Sequence, residues 1–310
     1  MKPALSIVLF TTIAGAAQGA AVVLASATLA GIAPSGALPD MLWTITGMLL
    51  VALAASFFHL GHPFRAWRAA LMWRTSWMSR EVILLPAFIG VVGAWALLST
   101  IFTLHASTSQ VLAWIVIVGA FLLWYCTAMI YACIRFIQEW AHPLTIINYV
   151  MLGLASGVVT SGALAVVTGE REFATTLGGW ALAATALAWF TRVLSLRRNS
   201  RLKPKSTVQS ATGVNSGRVV QTSMGMTGGS FNTREFFHGA SLHAFRRAKV
   251  GFQVLAFGIP ITLVVWAVLT ESEAAWLLAF FFQALGMLTE RWFFFAQAQH
   301  PQNIYYQVVS

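Results

Sequence analysis

Long apolar segments follow one another along this chain and are separated by shorter polar stretches. Each apolar segment has about 20 residues or more, which is the length at which an α-helix crosses the hydrocarbon core of a bilayer. The expected fold is an all-α integral membrane protein of eight transmembrane helices in two four-helix bundles. The helices are predicted over residues 4–32, 41–60, 81–104, 111–134, 144–168, 174–194, 250–270 and 274–296.

The longest polar stretch, residues 195–248, divides the chain into three parts. Residues 1–194 hold the first six predicted helices, and residues 249–310 hold the last two with a short C-terminal tail. The stretch between them begins with basic residues and continues as a Gly- and Ser-rich segment, which is typical of a functional or unstructured loop. Its second half contains Phe231, Phe236 and Phe237, so we expect that half to pack against the helices or a partner subunit.

Composition and charge agree with a membrane location. The chain is 58% hydrophobic and 9% charged, whereas soluble domains carry about 25% charged residues. A net charge of +10 would suggest nucleic acid as the partner of a soluble chain. Here, however, eighteen of the nineteen Lys and Arg residues fall on one side of the predicted topology, and Arg171 alone falls on the other. The positive-inside rule therefore places both termini in the cytoplasm, and lipid is expected as a neighbour but nucleic acid is not.

Ionisable residues gather where the second predicted helix ends and the third begins. His59 closes the second apolar run and Glu81 opens the third, and a basic connector with Arg65 and Arg80 lies between them. Ionisable groups at membrane depth are candidates for function. A histidine titrates near neutral pH and a buried carboxylate can do so, so this pair suits the two protons that a membrane quinol releases.

Further residues complete the predicted quinone site. Arg65 or Arg80 can hold the carboxylate or donate to a quinone carbonyl, and Gln18 lies in the middle of the first helix. The structural alternatives are an interhelical hydrogen bond for Gln18, a helix-end histidine for His59, and a first-turn acid capped by Ser79 for Glu81. Glu290 and Arg291 lie near the cytoplasmic end of the last predicted helix, beside aromatic residues that suit the membrane interface.

Two other classes of function compete with a quinone-reactive subunit. A haem protein of the cytochrome b type needs axial histidines within its helices, but none of the seven histidines lies in the middle of a predicted helix. A transporter needs charged or broken helices near the bilayer midplane, whereas the ionisable residues here crowd the helix ends. Cys126 and Cys133 are too few to ligate an iron–sulfur cluster, and no metal-ligand spacing is present.

Four sequence runs resemble the DmsC family, the membrane anchor subunits of dimethyl-sulfoxide-reductase-type molybdenum enzymes in the wider NrfD/PsrC group. They are GAAQGA in the first helix, FHLGHPFRAW after the second, SWMSREV at the third and GGSFNTREFFHG in the long loop. The resemblance implies a site at His59 and Glu81 that exchanges electrons with menaquinone or ubiquinone. It also implies a bacterial inner-membrane location and no haem or iron–sulfur cluster in this chain.

The resemblance also implies partners: an iron–sulfur subunit with four 4Fe–4S clusters and a catalytic subunit that carries molybdopterin. Because electron transfer is short-range, these partners are expected on the cytoplasmic face nearest the quinone site, as in the sulfite dehydrogenase (SoeC) branch. The alternative is a quinol-oxidising anchor of a dimethyl sulfoxide reductase in anaerobic respiration. The predicted docking surface consists of Arg68, Arg74, Phe231, Arg234 and Phe237.

Overall fold

The computed structural model of the chain describes residues 3–58, 62–220, 222 and 239–301, and all the regular structure within these ranges is helical. A 3₁₀ helix, Pro63–Met72, lies in the connector between the second and third long helices. The α-helices are α1 Leu5–Leu29, α2 Leu38–Phe57, α3 Trp77–Ile101, α4 Ala106–Ala132, α5 Pro143–Val167, α6 Arg171–Asn199, α7 Val208–Thr212, α8 Leu242–Thr270 and α9 Glu273–Ala296.

Seven helices, α1 to α6 and α8, are long and apolar enough to cross a membrane within the described ranges. The eighth predicted span corresponds to α9, which has 24 residues but does not meet the same test of hydropathy. The count of eight spans, and the cytoplasmic placement of both termini, therefore stay predictions.

Helical structure extends into both ends of the predicted loop 195–248. The helix α6 continues to Asn199, and its last turn carries Arg197 and Arg198, which the negative end of a helix dipole favours. The helix α8 begins at Leu242, where the hydroxyl of Ser241 accepts a hydrogen bond from the backbone N–H of Ala244. The first turns of α8 are too polar to be recognised from hydropathy, so the sequence pattern places the start of this helix too late.

The interpretation of Glu81 as a first-turn acid capped by Ser79 is wrong. The N-cap of α3 is Ser76, whose side chain accepts from the backbone N–H of Ser79. Glu81 is thereby the fifth residue of α3 and lies beyond its first turn. The effect of a helix dipole is strongest within the first turn. Dipole stabilisation does not account for an acid at this position.

The long helices pack in two groups that meet along α1 and α5. The helices α1 to α4 contact one another in one group, and α5, α6, α8 and α9 do so in the other. At the junction, a Cβ added to Gly157 would lie 2.1 Å from the carbonyl carbon of Gly19. Only glycine permits this close approach of two backbones, and the crossing fixes the positions of side chains on α1 and α5 relative to α3, α4 and α9.

A π-helical segment, Val254–Gly258, interrupts α8 where it faces α9. The side-chain amide of Gln283 in α9 donates to the carbonyl oxygen of Ala256 at 3.3 Å. This bond satisfies a backbone group in the altered segment, as polar side chains commonly do in membrane helices. Gln283 therefore has a structural partner inside the second helix group.

Candidate quinone site

A cavity opens between α1, α3, α4, α5 and α9 and holds about 510 Å³ of empty space, including its open mouth. Most of its wall is apolar, from side chains such as Phe10, Leu85 and Leu123. Its polar members include Gln18, Glu81, Trp124, Thr127 and Arg291. A mostly apolar pocket with a few convergent polar groups is the usual form of a small-molecule site.

The cavity lies at the end of the bundle that carries the basic connectors. Glu81 follows the α2–α3 connector, Thr127 precedes the α4–α5 connector, and Arg291 is near the end of α9. This is the end that the positive-inside rule assigns to the cytoplasm. The cavity therefore extends from this end of the bundle to about the middle of α1, where Gln18 lies.

Glu81 is a buried acid without a cationic partner in the described part of the chain. Its side chain is 8% exposed, and the hydroxyl of Thr127 donates a hydrogen bond to Glu81 Oε1 at 2.5 Å. None of the ion pairs among the described residues includes Glu81. An acid in this setting is costly to keep ionised, so it is suited to exchanging a proton with a bound ligand.

Several further polar groups at the cavity have no hydrogen-bond partner among the described residues. Two of them are Gln18 Oε1 and Trp124 Nε1, on side chains that are 3% and 1% exposed. A buried polar atom left without a partner costs about 1–3 kcal/mol. One is an acceptor and the other a donor, so together they can satisfy a ligand that carries both kinds of group. Gln18 lines the cavity, and its predicted role in binding a ligand stays a prediction.

Of the other predicted quinone residues, Arg65 and Arg80 do not line the cavity. His59 lies outside the described residues, so its predicted pairing with Glu81 stays a prediction. Arg65 is exposed on the 3₁₀ helix. The guanidinium of Arg80 donates to the carbonyl oxygens of Trp73 and Arg74, both at 2.9 Å, and lies 4.0 Å from the ring centroid of Trp77. Arg80 thus braces the connector, and neither arginine lines the cavity.

The predicted docking residues are described only in part. Arg68 and Arg74 are exposed on the connector, next to the exposed indoles of Trp67 and Trp73. Phe231, Arg234 and Phe237 lie outside the described residues. The connector therefore presents a basic and aromatic surface at the same end of the bundle as the cavity.

Sequence reasoning missed a buried ion cluster beside the cavity. Glu290 is fully buried in α9 and lies between two guanidiniums: Arg192 Nε is 2.7 Å from its Oε1, and Arg291 Nε is 2.6 Å from its Oε2. Glu290 and Arg291 lie near the end of α9 beside aromatic residues, but Arg291 is only 5% exposed and both side chains belong to the buried cluster. The available signal was the presence of Arg192 within α6, a basic residue inside an apolar helix.

No group of three or more His, Cys, Asp or Glu side chains that could hold a metal ion occurs in the ranges that the structure covers. Cys126 and Cys133 are free thiols. The cavity therefore offers proton-exchanging and hydrogen-bonding groups to a ligand, and its apolar wall suits a ring or an isoprenoid chain.

These features define a multi-helix membrane protein with a ligand cavity toward its basic end. Residues 1–221 match the family model described as DMSO reductase anchor subunit (DmsC), and the chain belongs to this family, as its sequence runs indicated. The chain is also 43% identical to a protein of Allochromatium vinosum that is named as a subunit of sulfite dehydrogenase, with 100% of both chains covered.

Proposed function

We propose that this chain is the quinone-reactive membrane anchor of a three-subunit molybdopterin oxidoreductase. It passes electrons between menaquinone or ubiquinone and an iron–sulfur subunit with four 4Fe–4S clusters, which connects to the molybdopterin catalytic subunit. Membership of the DmsC family supports the anchor role. The observation that carries the quinone assignment is the buried Glu81 carboxylate, bound by a neutral hydroxyl within a mostly apolar cavity.

The chemistry of a quinone fits these groups. Conversion between quinone and quinol moves two electrons and two protons, and the protons require groups that change protonation beside the ring. Glu81 supplies one such group, and His59, which closes the second apolar run of the sequence, is proposed to supply the other. The orphan donor of Trp124 and orphan acceptor of Gln18 match the carbonyl and hydroxyl oxygens of the two redox forms.

The assignment is tested by Glu81→Gln and His59→Ala in the assembled complex. Turnover linked to quinone is expected to fall by about 100-fold or more, which is the low end of what a proton-transferring group contributes. Turnover of the catalytic subunit with a soluble dye should stay unchanged. Glu172→Gln is the matched control, because Glu172 is an exposed acid in the first turn of α6. Unchanged quinone turnover in both variants would refute the site.

The basic connector is proposed to dock the iron–sulfur subunit on the cytoplasmic face of the bacterial inner membrane. Arg68 and Arg74 are exposed near the cavity, and Phe231, Arg234 and Phe237 are proposed to extend the same surface. Arg68→Gln with Arg74→Gln should lower the amount of iron–sulfur subunit that co-purifies with the anchor. Arg171→Gln, at the opposite end of the bundle, is the control. Equal recovery from both variants would exclude the connector from docking.

Sulfite oxidation is the proposed reaction of the whole complex, with electrons passing from sulfite into quinone. The 43% identity to a sulfite dehydrogenase subunit supports it. The family description instead favours a quinol-oxidising anchor of a dimethyl sulfoxide reductase. Cell fractionation and assays with both substrates separate the two: a cytoplasmic catalytic subunit and sulfite-dependent quinone reduction are expected, whereas a periplasmic subunit that reduces dimethyl sulfoxide would favour the reductase.

A further inference from the structure

The ion cluster of Arg192, Glu290 and Arg291 carries an excess positive charge inside the protein. The three side chains are 2%, 0% and 5% exposed, in that order. One carboxylate faces two guanidiniums, and none of the described ion pairs brings a second acid to the cluster. Buried charges that are not balanced are strongly unfavourable, so a further negative or strongly electron-rich group is expected beside one of the two arginines.

Of the two arginines, Arg291 alone lines the cavity. Its Nε contacts Glu290, and its Cζ lies 4.4 Å from the ring centroid of Tyr149. The ion pair and the stacked ring hold the guanidinium in place from two sides. An arginine side chain has five N–H donors, so the contact through Nε and the hydrogen bond with Tyr149 leave further N–H donors that a ligand can use.

Arg192 instead lies in the α6 side of the cluster. Its Cζ is 5.6 Å from the ring centroid of Phe252, and its Nη1 donates to the hydroxyl of Ser195 at 3.4 Å. It approaches Glu290 from α6 and does not line the cavity. The two arginines therefore share a carboxylate but differ in access to a ligand.

We infer that Arg291 is a quinone-binding residue whose guanidinium donates to a ring oxygen of the quinone, held in position by Glu290 and Tyr149. The ring oxygens gain negative charge when electrons arrive, and a fixed cation stabilises that charge without reorganising. The oxygen also supplies the electron-rich group that the cluster lacks. This inference rests on the proposed function, because it requires quinone in the cavity.

The conservative variant Arg291→Lys separates ligand binding from a merely structural role. Lysine keeps a cation beside Glu290, but its single ammonium cannot reproduce the planar fork of arginine. We therefore expect the lysine ammonium to bind Glu290, so that no N–H group at this position remains to donate to a ligand in the cavity. Arg192→Lys is the matched control, since it makes the same exchange at the arginine of the cluster that does not line the cavity.

The measurement is a fluorescence-quenching titration of the purified complex with a hydroxyquinoline N-oxide, a fluorescent analogue of quinol. We expect Arg291→Lys to raise the Kd of the analogue about tenfold or more, which corresponds to about 1.4 kcal/mol. Arg192→Lys should leave the Kd within about twofold of the parent, less than about 0.4 kcal/mol.

The outcomes are separable. An unchanged Kd in assembled Arg291→Lys complex would overturn the role of Arg291, and so would failure of this variant to assemble, because either result assigns the cluster to structure. An equal loss of affinity in Arg192→Lys would do the same. If the parent complex binds no analogue that short-chain ubiquinone or menaquinone displaces, the proposed function itself fails.

Discussion

Two buried carboxylates lie near the same end of the helix bundle, and they have opposite surroundings. Glu81 in α3 is 8% exposed, and the partner in contact with it is the neutral hydroxyl of Thr127. Glu290 in α9 is 0% exposed and lies between the guanidiniums of Arg192 and Arg291. The protein thus balances the charge of one acid with two cations and leaves the other acid beside an open cavity.

This difference separates an acid that supports structure from one that is suited to chemistry. A carboxylate between two guanidiniums stays charged, because protonation would leave two buried cations without a counterion. A carboxylate whose hydrogen-bond partner among the described residues is a hydroxyl, in a mostly apolar cavity, has no such constraint, and its charge can be removed by a proton. The contrast predicts that Glu290 variants fail in stability, whereas Glu81 variants fail in quinone turnover.

The largest expected effect is the loss of stability in Glu290→Gln. Breaking a buried ion pair by removing one partner costs about 3–5 kcal/mol, and this change leaves two guanidiniums without a carboxylate. We expect a lower Tm and a lower yield of assembled complex. Glu273→Gln is the control, because Glu273 begins the same helix but forms an exposed ion pair with Arg171, which is worth about 0–1 kcal/mol. Equal melting of the two variants would contradict the comparison.

A smaller effect is expected for Thr127→Val, which keeps the shape of the side chain and removes the donor to Glu81. A hydrogen bond to a charged group contributes about 1.5–3 kcal/mol, so quinone-linked turnover should fall by about tenfold to 100-fold while the complex still assembles. Thr46→Val is the control: Thr46 is similarly buried, at 5% exposed, but bonds within α2 to the carbonyl oxygen of Leu42. Loss of assembly in Thr127→Val alone would show that Glu81 has a structural role.

Much of the fold follows from local sequence patterns, because a membrane helix is determined by a local run of apolar residues. The local sequence pattern also singled out Glu81 and Gln18, because each is a polar residue in or beside an apolar run. The cluster of Arg192 and Glu290 joins residues of two helices far apart in sequence, and its contacts appear only when α6 and α9 pack. The cap at Ser76 was missed for a different reason: both Ser76 and Ser79 suit an N-cap, and only the backbone distinguishes them.

The smallest effect concerns a third acid, Glu139, which lies outside the long helices in the α4–α5 connector and is half-buried. Burial raises the pKa of Glu139, while hydrogen bonds from backbone N–H groups, including that of Gln299, and the charge of Arg198 oppose the shift. A carboxyl whose pKa is higher in the folded state binds its proton more tightly there than in the unfolded chain. Its contribution to stability is therefore present at low pH and is lost as pH rises through the folded pKa.

Glu139→Gln removes this titration and tests an acid that is more exposed than either Glu81 or Glu290. The Tm of the variant relative to the parent complex should increase as pH rises above the usual carboxyl range, because only the parent must then ionise a half-buried carboxyl. The exposed Glu172→Gln is the control for loss of a negative charge. Parallel dependence of Tm on pH in the parent and Glu139→Gln would show that burial without a close counterion has no measurable cost in this connector, and would limit the comparison of Glu81 with Glu290 to the membrane-embedded region.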